Sequence, residues 1–216
     1  MAVRVLLVLA ALAVLYGCDQ ASSPTEKQEK KEGAEEVGTK GNGEPSTEDP
    51  NITPPKDKTL RLTVPEMEMI KDDKIPTGLG TDKALFHDYA GVHFKNTGWP
   101  WEEEANVYIS GHRLGYEGTN SYLAFWDFNK VEKGDKIYIT DSEGRKYTYV
   151  VYKTFLGEPQ RGQDGKHPCG VETPDNLSEF KPVEGKNIVT LQTCTLPDYT
   201  NRLLVWGELK DVSSEG

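Results

Sequence analysis

Apolar and polar residues alternate in short bursts from about residue 59 onward, the period-2 pattern of half-buried strands. Residues 59–64, Thr-Leu-Arg-Leu-Thr-Val, alternate cleanly and stop at Pro65, which predicts a first strand. Met67, Met69 and Ile70 carry the apolar pattern toward Ile75 and Pro76, and residues 81–89 suit a short helix that turns Leu85 and Phe86 inward. A short strand at 91–94 precedes an aromatic turn, Gly98-Trp99-Pro100-Trp101. Residues 107–112, Val-Tyr-Ile-Ser-Gly-His, form a strand that ends in a histidine. Residues 136–140 and 146–152 flank Asp141-Ser142-Glu143-Gly144, a hairpin signal. Two more strands close the pattern, 187–194 and the apolar run that starts at Leu203. Seven or more strands and at most two short helices define an all-β fold, and a closed barrel suits it because closure removes exposed sheet edges. Residues 154–185 break the pattern: they lack periodicity and are rich in Gly, Pro and Glu, as in a long functional or disordered connection.

The N-terminus follows other rules. Residues 3–17 are apolar apart from Arg4, too short a stretch for a typical membrane span and typical of a signal peptide. It closes on Leu15-Tyr16-Gly17-Cys18, which resembles a bacterial lipobox, so residues 1–18 read as a signal peptide that leaves a lipidated Cys18. The rival reading is an uncleaved signal anchor. Both tether the chain to the outer face of the cell membrane. Residues 19–58 are rich in Glu, Lys, Gly, Pro, Ser and Thr, and bury too little apolar surface to offset the entropy of ordering. They form a disordered polar linker with a reach of about 35 Å as a flexible coil, or a plain spacer. Residues 59–211, about 150 in all, make one domain, and 212–216 a tail.

A net charge of −10 and a pI near 5.0 argue against nucleic-acid partners and against attraction to anionic lipid. Three cysteines make no disulfide framework for an exported chain. With Cys18 assigned to the anchor, Cys169 and Cys194 remain, and a thiol kept in an oxidising compartment calls for a reason.

Cys194 ends a strong strand, Arg202 opens the next, and His112 ends an earlier one, so the three can converge on one barrel edge. A thiolate is a strong nucleophile once a nearby cation stabilises it. A histidine can protonate a departing amine and deprotonate an incoming one, and an arginine has permanent donors for an oxyanion. The plainer readings are a buried structural cysteine, a turn histidine and a strand-edge salt bridge. Thr193, beside the cysteine, is a candidate for a substrate hydrogen bond through its backbone or hydroxyl. His87 and His93 lack a comparable setting and read as surface or structural residues. His167-Pro168-Cys169 is too sparse for zinc. Glu102-Glu103-Glu104 offers carboxylates for calcium but reads as a solvated turn, so no metal and no cofactor is assigned. The long connection can also bring Cys169 to Cys194 as a reversible disulfide.

The segment Thr190-Leu191-Gln192-Thr193-Cys194, with Arg202 opening the next strand, resembles the Thr-Leu-x-Thr-Cys…Arg signature of sortases. Ile109-Ser110-Gly111-His112-Arg113 resembles the segment that carries their histidine. Ser121 to Trp126 resembles the short helix that follows it, and Val131 to Ile137 the Gly-Asp turn. The likeness spans roughly residues 59–209, and the short, proline-containing Cys-to-Arg connection looks most like class E. The resemblance implies an eight-stranded barrel and a cysteine transpeptidase. Such an enzyme cuts an exported protein's C-terminal Leu-Pro-x-Thr-Gly or Leu-Ala-x-Thr-Gly signal between Thr and Gly. It then transfers the acyl group to an amine of a peptidoglycan precursor or a pilin. It also implies that the long connection helps to recognise the signal, although residues 160–170 look unlike their class E counterpart. Two alternatives stay open: an L,D-transpeptidase-like cysteine enzyme, whose Gly-Cys motif is missing here, and a non-enzymatic exported lipoprotein with a ligand-binding barrel.

Overall fold

The computed structural model describes residues 52–157 and 178–214, all within the unit Gly43–Gly216. Nine strands share one sheet: β1 (Leu60–Thr63), β2 (Lys71–Ile75), β3 (Thr77–Gly78), β4 (Val92–Phe94), β5 (Asn106–Ser110), β6 (Lys136–Thr140), β7 (Arg145–Gly157), β8 (Ile188–Cys194) and β9 (Arg202–Ser214). Their spatial order is β2-β1-β6-β7-β9-β8-β5-β4-β3. The two outermost strands, β2 and β3, are separated in sequence only by Pro76, so the sheet curls until its ends meet. The result is a nearly closed barrel with almost no helix among the described residues.

Why these residues make strands is visible in their burial. Leu60 and Leu62 are fully buried while Arg61 points out to an ion pair with Asp72 (2.7 Å), as the alternation in 59–64 requires. β6 and β7 meet through the Asp141–Gly144 turn, where the Asp141 carboxylate accepts from the amides of Glu143 (2.9 Å) and Arg145 (3.0 Å). Two register shifts, at Thr148/Tyr149 and Val151/Lys153, let β7 bend around the barrel against the equally long β9. Inside lie Val64, Ile75, Val107, Ile109, Ile137, Ile139, Tyr149, Val189, Leu191 and Val205, with Phe125 and Phe128. A second, smaller cluster of Val92, Phe94, Tyr108, Phe180 and Leu204, flanked by Leu85 and Phe86, covers one outer face. The residues before β1 also touch the barrel: Ile52 lies against the core, and the Thr53 carbonyl accepts from Arg145 Nη1 (2.8 Å).

The structure refines the sequence reading in four places. The sheet has nine strands where eight are expected, because Pro76 divides one chain segment into β2 at one end of the sheet and the two-residue β3 at the other. The helix expected from Ser121 to Trp126 is a run of turns that passes into the 3-10 helix Trp126–Lys130. Leu123 takes a positive φ of 54°, and its amide donates to the Leu114 carbonyl (2.8 Å), which interrupts any α-helical ladder. The expected helix at 81–89 is the single turn-and-a-half α1, Lys83–Asp88. Finally, the connection that begins at residue 154 is still strand as far as Gly157, because Phe155 and Gly157 register with Leu204 and Arg202 of β9. Among the described residues no helix is long and apolar enough to cross a membrane. Cys18, His167 and Cys169, with the readings placed on them, lie outside the described residues.

Candidate active site

The ladder of the central strands brings three of the sequence-selected residues to one end of the sheet. β5 and β8 run parallel, with Tyr108 opposite Thr190 and Ser110 opposite Gln192. The Gly111 amide continues the pairing to the Gln192 carbonyl (3.0 Å), so His112 follows β5 where Cys194 ends β8. On the other side β8 runs antiparallel to β9, and Cys194 lies directly opposite Arg202. Residues paired this way project from the same face. Val189, Leu191, Leu203 and Val205 belong to the interior cluster, which leaves Gln192, Cys194, Arg202 and Leu204 on the outer face with Tyr108.

Cys194 is half-buried, and its sulfur is disulfide-bonded. Acyl chemistry at this position therefore begins with reduction. Thr193 points the other way: it is fully buried, and its hydroxyl donates to the Gly111 carbonyl (2.8 Å). That bond ties the cysteine strand to the residue before His112, so the hydroxyl holds two strand ends together.

His112 stands between Phe86 of α1 (ring centroids 5.7 Å apart) and Tyr116 (5.5 Å), both edge-on. Desolvation in this partly buried setting pulls its pKa below the ordinary 6.5, which favours the neutral imidazole at neutral pH. Gly111 sets its approach, since a Cβ there would come within 2.2 Å of the Phe125 ring and 2.6 Å of the Ala90 carbonyl. The other two described histidines behave as structural and surface residues. His93 is fully buried, donating from Nε2 to the Gly98 carbonyl (3.0 Å) and sharing a bond with Thr77 Oγ1 (3.1 Å), and burial lowers its pKa to about 4. His87 is exposed beside Asp88.

Arg202 has no solvent exposure, and its Nη2 donates to Glu179 Oε1 at 2.5 Å. Room for the guanidinium comes from Gly157 on β7, where a Cβ would sit 3.1 Å from Arg202 Nη2. Burial raises the pKa of Tyr108 and keeps it a neutral phenol, although the neighbouring Arg202 opposes that shift; its hydroxyl donates to Gln192 Oε1 (3.1 Å). Glu102, Glu103 and Glu104 are exposed; Glu102 accepts from the Trp99 amide (2.9 Å) and Glu104 from the Gly185 amide (2.9 Å). The carboxylates of Glu102 and Glu104 brace turns. Sequence reasoning missed Glu179, Tyr108 and Asn106. A buried arginine demands a counter-charge, but the aperiodic stretch holds several acids and nothing in its pattern singles out Glu179.

The comparisons with known proteins agree with the fold. The Sortase domain family matches residues 62–210, and the chain belongs to the sortase family, whose members are cysteine transpeptidases of the bacterial cell surface. Sortase A of Streptococcus agalactiae serotype III (strain NEM316) is 30% identical over 101 residues, 47% of this chain and 34% of that protein. The match thus spans about a third of that relative's length. Among solved structures, sortase A from Corynebacterium diphtheriae superposes with a TM-score of 0.55 at 22% identity, covering 74% of this chain and 64% of the other. Group B Streptococcus Pilus Island 1 sortase C2 gives a TM-score of 0.54 at 26% identity, covering 72% and 76%.

Proposed function

We propose that this chain is a membrane-tethered sortase, most like class E, with Cys194 as nucleophile, His112 as proton carrier and Arg202 as the cation facing the oxyanion. The observation that carries the reading is that Cys194 lies directly opposite Arg202 where β8 ends, and His112 follows the end of the adjacent β5. Three unlike side chains at neighbouring strand ends supply a nucleophile, a proton shuttle and an anion stabiliser with little backbone freedom between them.

The Cys194 thiol passes its proton to the neutral His112, and the thiolate attacks the threonine carbonyl of a Leu-Pro-x-Thr-Gly or Leu-Ala-x-Thr-Gly signal and forms a tetrahedral oxyanion beside Arg202. The Thr–Gly C–N bond breaks, and His112 gives its proton to the departing glycine amine, leaving a thioester on Cys194. An amine of a peptidoglycan precursor or a pilin then loses a proton to His112 and displaces the sulfur, which forms the new amide and restores the thiol. No cofactor enters. Residues 1–18, as a lipidated leader ending at Cys18 or as a signal anchor, and the polar linker 19–58 would hold the domain at the outer face of the membrane.

The disulfide at Cys194 favours a second reading, in which the cysteine is a structural staple of a non-enzymatic exported lipoprotein. Incubating reduced protein with a panel of the two signal types and a glycine or lysine acceptor separates them. Cleavage between Thr and Gly with acceptor-dependent product supports the sortase. Absence of cleavage across the panel, together with loss of thermal stability on reduction, supports the staple.

A further inference from the structure

We propose that Glu179 is a positioning residue for Arg202, holding the guanidinium beside Cys194, and that the 3-10 turn Ser178–Phe180 is fastened to the barrel to carry it. The inference rests on the role given to Arg202 above. Three sets of contacts fix the turn. Asn106 of β5 donates from Nδ2 to the carbonyls of Glu179 (2.8 Å) and Lys181 (3.2 Å), and its Oδ1 accepts from Thr190 Oγ1 of β8 (2.7 Å). The same asparagine thus ties the turn to the two strands that bear His112 and Cys194. Phe180 stacks on Tyr108 with ring centroids 3.9 Å apart and planes 19° from parallel, and on Phe94 at 5.8 Å and 12°. Glu179 itself is 7% exposed, and its Oε1 takes the bond from Arg202 Nη2.

The physical need is plain. A guanidinium with no solvent exposure cannot stay charged and in place without a matched anion. Arginine's long stem otherwise carries its head toward water, away from the sulfur. A carboxylate on a loose loop would follow the guanidinium, whereas one on a turn held at the Glu179 carbonyl, at the Lys181 carbonyl just after it and at the Phe180 ring sets the fork's direction. The guanidinium is planar, so a bond from Nη2 to Glu179 helps to set the direction of the whole fork. Gly157 leaves space for this placement, since even a single Cβ at that position would stand only 3.2 Å from Arg202 Cζ.

The test uses the full chain after reduction and reads two quantities. The first is the pH profile of iodoacetamide labelling at Cys194, followed by peptide mass spectrometry so that the other cysteines do not interfere. The groups bearing on that profile are Arg202 of β9, Glu179 of the turn, and His112 and Tyr108 at β5. If Glu179 holds the cation in place, Glu179→Gln lets it leave the sulfur, and the labelling midpoint moves up by roughly one pH unit. A midpoint that falls, as an unmatched but stationary guanidinium would cause, or one that does not move, overturns the proposal. The second quantity is turnover on a cleavable sorting peptide. Glu179→Gln is expected to lose about tenfold in kcat with KM changed less than about twofold, and to add no loss in an Arg202→Lys background. Independent, additive losses overturn it. Should wild-type protein cleave no peptide, the sortase reading fails and the labelling profile alone decides Glu179. Should Glu179→Gln not fold, Glu179→Asp decides: one methylene shorter, it is expected to raise the midpoint by part of the same amount, and a wild-type profile overturns the proposal.

Discussion

At the scale of single residues, the roles proposed for the trio His112, Cys194 and Arg202 are separable by substitution. Cys194→Ala is expected to abolish cleavage, since no other group in the trio can carry a thioester. Arg202→Lys keeps the charge but loses the planar fork, and the buried Glu179 partner is then met by a point charge. A loss of ~10²–10³ in kcat is expected from steady-state kinetics, the usual scale for one oxyanion donor. Removing the guanidinium altogether, as in Arg202→Ala, strands the Glu179 carboxylate and is expected to cost about 3–5 kcal/mol in chemical denaturation. His93 contributes to stability and not to chemistry. Its folded pKa of about 4 lies below the ordinary 6.5, so the fold favours the neutral ring. That contribution is complete above pH ~6.5 and is lost as pH falls toward about 4, a change on the order of 3 kcal/mol. His112, shifted in the same direction, adds to the trend. Denaturation midpoints measured across that window should fall steeply in the wild type and more shallowly in His93→Gln.

At the scale of elements, the site depends on strand ends more than on loops. Gly111 is where β5 stops and turns His112 outward, with the Phe125 ring and the Ala90 carbonyl too close to admit a methyl. Gly111→Ala is expected to destabilise the fold by about 1–3 kcal/mol and to lower turnover further than the stability loss explains, checked by thermal melts beside kinetics. The strands that carry the site were legible in the sequence because their inner residues alternate: Val107, Ile109, Val189, Leu191 and Val205 declare which neighbours face out. Cys194, Arg202 and His112 follow from that alternation and from the motif. The 3-10 turn that bears Glu179 was not legible, because three residues show no period and its hold on the barrel comes from Asn106 and Tyr108, which are distant in sequence. Nor was the break at Leu123, where a positive φ on an ordinary residue defeats a helical pattern. The ninth strand hides for a similar reason, as β3 is two residues long and its existence depends on β4 lying alongside.

At the scale of the whole molecule, closure of the sheet through Pro76 gives a frame on which one outer face carries Cys194 and Arg202 and the opposite face of their strands makes the core. A rigid frame suits an acyl-transfer site, whose reacting groups must be held within a fraction of an ångström. The disulfide at Cys194 sets the condition under which that frame can work. Peptide cleavage is expected to be negligible in oxidised protein and to appear on addition of a thiol reductant, with initial rates following the appearance of the Cys194 thiol; equal rates with and without reductant would separate activity from this cysteine. The account as a whole turns on one covalent bond. The most direct measurement is intact-mass and peptide-level mass spectrometry of reduced protein quenched in acid during turnover of a sorting peptide. The account predicts an adduct equal to the peptide through its threonine, carried on Cys194, released by hydroxylamine and absent from Cys194→Ala. An active protein with no such adduct, or with the adduct on any other residue, would contradict it.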